Sequence, residues 1–159
     1  MGERQRILDL LDRAYRAKAW SGPSLLETLE GVGAALAAKH PVRGAHSIWE
    51  LVEHIASWNE VVAQRLGGGQ PTVTQEFNFP PVTKTTPAAW RASLKRLART
   101  HAHFRREVAR FPVAKLGRRR PRLDHTWSVL IHGQIQHQLY HAGQIAMMRR
   151  ALGKPVPSS

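Results

Sequence analysis

Between Trp90 and Phe111 the chain sets Trp90, Leu94, Leu97, His101, Phe104, Val108 and Phe111 at steps of four and three, with Lys95, Arg96, Arg99, His103, Arg105 and Arg106 facing out or flanking. At about 3.6 residues per turn, that spacing gathers the apolar side chains into one stripe of an α-helix. Thr86 and Pro87 supply the start, a threonine at N-cap and a proline at N1. A helix with one long apolar stripe cannot stand alone in water. It requires other helices of the same kind to cover it, and this requirement constrains the fold more than any other feature of the chain.

Three further stretches meet that requirement. Residues Glu3 to Lys18 carry Ile7, Leu8, Leu11, Ala14 and Tyr15 at helical spacing. Ser47 and Glu50 spell a capping box that opens a helix running to about Leu66, with Leu51, Ile55, Trp58 and Val62 on its stripe. From Thr126 to Gly153 the stripe contains Trp127, Ile131, Ile145, Met148 and Leu152, and the helix closes with Arg149 and Arg150 in its last turn, Gly153 at C′ and Pro155 beyond.

The connections are uneven. After the turn cluster Trp20-Ser21-Gly22-Pro23, Ser24 and Glu27 form a second capping box for a short helix, and Ala34 to Lys39 adds a turn or two before Pro41. Gly67, Gly68, Gly69 and Pro71 end the second main helix, and the stretch through Phe77 and Phe79 to Thr85 is too proline-rich for a helix. Phe77 and Phe79 either cover the mouth of a pocket or pin a crossover to the bundle. No internal repeat or strand pattern stands out. The expectation is all-α: a four-helix bundle with short extra helices in its first connection, residues 1–153 as a single domain and residues 154–159 as a flexible tail.

Absence of cysteine removes a cysteine nucleophile, thiolate-ligated zinc and iron–sulfur clusters, and agrees with a reducing compartment. With a charged amphipathic N-terminus and no apolar run near the length of a membrane span, the chain reads as soluble and cytoplasmic, with no membrane partner. A formal net charge of +13 suits either a solvated basic face or attraction to phosphate and acidic ligands. Its densest part is Gly117 to Arg122, where an arginine cluster can clamp an anion or simply lie in solvent. A nucleic-acid-binding module is the reading in which the charge is the function; it demands steeply salt-dependent binding and no metal.

Polar side chains interrupt the last helix on its apolar face: Gln134, Gln138 and His141. His137 and His141 stand four apart, about 40° around the helix, so both rings can converge on one point. Two imidazoles at this spacing suit one divalent ion, Zn, Ni, Fe or Mn, but a tight site needs a third ligand. His54, three residues past Leu51 on the inward side of the second main helix, is either that ligand or a core histidine satisfied by hydrogen bonds. His101 lies on a buried stripe without a companion and reads as structural or as a support. Three histidines, His54, His137 and His141, would leave positions open for water or substrate, the pattern of a catalytic metal.

Carboxylates are scarce nearby. No H-E-x-x-H occurs, because Gln138 and Leu139 fill the inner positions, which disfavours a zinc protease. Glu50, one turn before His54, is a candidate base or support beside its capping role, and Gln144 and Gln134 flank the histidine pair. Trp58 and Tyr140 are candidate pocket walls, with Phe77 and Phe79 as candidate covers for a small-molecule substrate.

Three segments together resemble a known family: WSGPSL, GAHSIWELVEHIASWNE and HGQIQHQLYHAGQIAMMRRALG. They are similar to the DinB-like (DinB/YfiT) metalloenzymes, and the resemblance runs through nearly the whole chain. It implies a four-helix bundle, usually a homodimer, with a metal held by one histidine of the second main helix and two from an H-x-x-x-H on the last. His54, His137 and His141 occupy those positions. Characterised members include thiol S-transferases and isomerases that use bacillithiol or mycothiol, and others carry a hydrolase-like label. The resemblance therefore implies transfer of a low-molecular-weight thiol to an electrophile, with a metal-dependent hydrolase using metal-bound water as the alternative. A non-enzymatic dimeric interaction protein is the remaining reading. The basic third helix and the Gly117–Arg122 loop carry more charge than the family pattern and leave the substrate class open.

Overall fold

The computed structural model describes residues 1–16, 18–120 and 124–157. Its helices are α1 (Glu3–Tyr15), α2 (Leu25–Leu29), α3 (Ala34–Ala37), α4 (Ile48–Leu66), α5 (Gln75–Asn78), α6 (Pro87–Arg110) and α7 (Trp127–Ala151), with a 3-10 turn at Val113–Lys115. Among the described residues there is no strand, only an isolated antiparallel bridge between Arg119 and Thr126. The four long helices α1, α4, α6 and α7 form the bundle. α4 packs most extensively on α6 and next on α7, while α1 closes against α6 and α7.

Sequence signals at the helix ends act as their chemistry requires. Ser24 with Glu27 and Ser47 with Glu50 both form complete capping boxes, Thr86 caps α6 ahead of Pro87, and Thr126 caps α7. Gly153 follows α7 at φ 68°, a left-handed conformation that glycine adopts without a Cβ clash. The predicted stripes are the buried faces: Leu97 and Phe104 on α6, Leu11 on α1, Ile55 on α4 and Ile131 and Ile145 on α7 have no exposed surface. Each such side chain contributes roughly 1.5–3 kcal/mol by leaving water.

Some boundaries differ from the sequence expectation. α1 stops at Tyr15 rather than Lys18, and Lys18 takes a left-handed φ of 63°. The loop after α4 contains a one-turn helix, α5, because Thr74 accepts from the Phe77 backbone N–H and caps it locally. Residues Lys154 and Pro155 are tied to the bundle by Arg149, a 5% exposed residue on α7. Its guanidinium donates to the carbonyl oxygens of Thr28, Glu30, Lys154 and Pro155. Arg122, within the basic loop singled out above, and Ser158 and Ser159 lie outside the described residues.

Candidate metal centre

Packing of α4 against α7 brings His54 to His137 and His141. One ring nitrogen of each lies within 4.8 Å of the others. His54 Nε2 is 3.0 Å from His137 Nε2, and His141 Nε2 is 2.9 Å from the same atom. The rings meet edge to face, His54 with His137 at 64° and His137 with His141 at 86°. Burial favours the neutral form of all three rings. Burial lowers the pKa of His54, takes His137 to about 3, with its two histidine neighbours adding to the effect, and takes His141 to about 4.

Hydrogen bonds at the far ring nitrogens fix which atoms face inward. His54 Nδ1–H donates to the Asn78 carbonyl oxygen at 2.8 Å, an acceptor that admits no other arrangement. His141 Nδ1–H donates to Gln144 Oε1 at 2.6 Å. Each of these neutral rings therefore points a lone pair at His137 Nε2. That nitrogen carries at most one hydrogen, so it satisfies at most one of the two. At least one contact of about 3 Å is lone pair against lone pair, an arrangement that protons do not relieve because burial keeps the rings neutral. A cation at the convergence relieves it, and three neutral imidazole nitrogens are the donor set that divalent transition ions accept. The residues present fit a metal ion.

Support for the trio comes from two directions. Asn78, at the end of α5, holds His54 by its carbonyl and accepts from Trp58 Nε1–H at its side-chain Oδ1, 2.8 Å away. Phe79 stacks on the His54 ring at 4.0 Å and 9°, and His46 stacks on the other aromatic at 3.8 Å and 10°. On α7, Gln144 also donates to the Tyr140 hydroxyl at 3.3 Å. His137 Nδ1 is buried and has no partner among the described residues.

The remaining sequence candidates divide accordingly. Gln144 reaches the site, Phe79 covers one ring, and Trp58 walls the cavity beside it. Tyr140 is 64% exposed and touches the site only through Gln144 and the edge of His141. Phe77 is half-buried and lies outside the cavity lining. Glu50 is turned away: its carboxylate accepts from the Ser47 backbone N–H at 2.7 Å and from His40 at 2.9 Å, with His46 at 3.7 Å. Gln134 and Gln138 both donate to Asn59 Oδ1 at 2.8 Å, a buried amide cluster joining α4 to α7. His101 is remote from the trio and stacks on Tyr15 at 3.5 Å.

A cavity of about 430 Å³ adjoins the histidines, lined by His54, Trp58, Val62, Val129, Leu130 and His137 with His125, Gly133 and Gln134. Its walls are mainly apolar. A larger hollow of about 660 Å³ between Lys18, Glu27 and Arg150 holds no comparable set of converging donors among the described residues.

A family model described as the DinB superfamily matches residues 19–145, well over half of the chain. The chain belongs to the DinB superfamily. No curated protein and no solved structure matches it. The DinB match spans α2 through most of α7 and so contains His54, His137, His141, Asn78 and Gln144. Among the described residues of this DinB protein, no helix is long and apolar enough to cross a membrane.

Proposed function

We propose that this DinB protein is a metal-dependent enzyme in which His54, His137 and His141 hold a divalent cation and the adjoining cavity receives an electrophilic substrate. The observation that carries this reading is the convergence of three neutral imidazoles on one point, two with their lone pairs aimed inward by Asn78 and Gln144. A divalent cation bound there supplies a Lewis acid able to hold a low-molecular-weight thiol as its thiolate at neutral pH. The protein's own residues set the conditions. Asn78 and Gln144 fix the two ring tautomers, Phe79 shields one face of His54, and Trp58, Val62, Val129 and Leu130 offer the reacting partner an apolar surface.

Thiol transfer is preferred over hydrolysis because hydrolysis wants a base. Glu50, the nearest carboxylate by sequence, is engaged by Ser47 and His40 instead. A homodimer belongs to the same proposal. Tyr140 and Met147, exposed at 64% and 75%, lie seven residues apart on one outward stripe of α7 with Gly143 between them. Sedimentation of the parent and of Met147→Glu tests it, and an unchanged mass would reject that face.

The deciding experiment is metal content by mass spectrometry on tag-free protein prepared without chelator, beside His54→Ala and the double variant His137→Ala/His141→Ala. Near-stoichiometric metal in the parent, lost in both variants with helical circular dichroism retained, is the expected result. A parent that stays empty after reconstitution with Zn²⁺, Ni²⁺, Mn²⁺ and Fe²⁺ would sink the reading.

A further inference from the structure

Two arginines contact residues that line the cavity beside the histidines. His125, one of its lining residues, lies 3.2 Å from Arg120 Nη1, and Arg120 Cζ sits 5.1 Å from the Trp127 ring. Trp58, another lining residue, carries Arg65 over its ring with Cζ at 5.8 Å. Among the described residues neither guanidinium has a carboxylate within ion-pair distance, and Arg120 Nε is buried with no hydrogen-bond partner.

Other arginines that are partly or fully buried are treated differently. Arg96 is paired with Glu53 at 2.6 Å, Arg105 grips Asp12 through two bonds, and Arg149 is saturated by four carbonyls. Burial lowers the pKa of both guanidinium groups, and for Arg120 the Arg65 charge adds a smaller part. A guanidinium partly stripped of water with no acid beside it is unfavourable unless an anion joins it. The planar N–H face of a guanidinium left without an acid takes a carboxylate or phosphate in a fork.

We propose that Arg65 and Arg120, with His125, form an oxyanion subsite at the rim of the cavity, selecting substrates that carry a carboxylate or phosphate on an otherwise apolar body. Val62, Val129 and Leu130 contact the body, and the arginines fix the charged end. The subsite names the substrate class for the metal centre proposed above and rests on that reading for its catalytic meaning, though binding itself does not require the metal.

The test is calorimetric titration of the full chain with phenylpropionate, phenyl phosphate and the neutral phenylpropanamide. Each is run on protein as isolated and after chelator treatment, for the parent and for Arg65→Gln/Arg120→Gln. The expected result is a preference of about tenfold or more for an anion over the amide in both preparations, lost in the double variant with its helical circular dichroism retained. Tighter phosphate assigns phosphorylated substrates to the subsite, and tighter carboxylate assigns carboxylic acids. Equal binding of amide and anions by the parent, which needs no variant to observe, overturns the proposal. So does a preference that survives the double substitution, or one that disappears on chelation, since the latter puts the anion on the metal. A parent that stays empty of metal after reconstitution would defeat the metal-centre reading while leaving the anion preference intact.

Discussion

His54 Nδ1 lies 2.8 Å from the carbonyl oxygen of Asn78, and Asn78 is in turn gripped at Oδ1 by the Trp58 indole one turn along α4. The one-turn helix α5 is thereby clamped to α4 from both sides, and the His54 tautomer is fixed by a main-chain acceptor. Asn78→Ala keeps the carbonyl but releases the Trp58 link that positions it. Metal affinity, measured by competition with a chromophoric chelator, is expected to fall about tenfold with helix content unchanged. Unchanged affinity would mean that α5 holds the carbonyl without the side chain.

Gln144 and Glu50 are both within four residues of a site histidine, yet only one reaches it. Gln144→Leu removes the acceptor for His141 Nδ1–H and is expected to weaken metal binding by about tenfold. Glu50→Ala removes half of a capping box and the His40 contact. It is expected to lower unfolding stability by about 1 kcal/mol with metal affinity unaltered. Chelator competition and urea denaturation on both variants separate the two roles, and a metal defect in Glu50→Ala would return that carboxylate to the site.

Helix periodicity made the bundle legible, because each long helix buries one stripe and its ends carry caps with local chemistry. The histidine cluster was legible for a related reason: His137 and His141 share a face of α7, and His54 breaks the apolar face of α4. Asn78 was not legible, since its role depends on a main-chain carbonyl in a connection that only the fold brings to α4. Asn59 did leave a signal, a polar residue eight past Leu51 and three before Val62, and its partners Gln134 and Gln138 mark the opposing face. The basic surface was legible as charge but not as pairing. Ion pairs of Arg96 with Glu53 and Arg105 with Asp12 neutralise part of α6 from other helices, whereas among the described residues Arg65 and Arg120 are left without acids.

Arg149 is a cation used as a main-chain staple. Its four carbonyl acceptors come from the α2 region and from the residues after α7, so one side chain fastens two segments that share no helix. Arg149→Met removes the donors and strands buried acceptors. The expected loss is about 3 kcal/mol in denaturant unfolding, together with faster proteolysis after Leu152. A loss below about 1 kcal/mol would show that water replaces the guanidinium.

His101 stacks on Tyr15 with both ring nitrogens buried and, among the described residues, unpartnered, and burial holds its pKa at about 4 against an ordinary 6.5 despite the nearby Asp12 charge. The unfolded chain therefore binds a proton between those pH values that the folded chain refuses. The contribution of His101 is fully present above about pH 6.5 and is lost as pH falls towards 4, by about 3 kcal/mol in all. His101→Phe keeps the stack and removes the titration. Because His54, His137 and His141 also resist protonation, the informative quantity is the stability difference between variant and parent. That difference is expected to grow in favour of the variant by about 2 kcal/mol between about pH 7.5 and pH 5 in urea denaturation. A difference that stays flat with pH would mean that water reaches the ring and His101 titrates alike in both states.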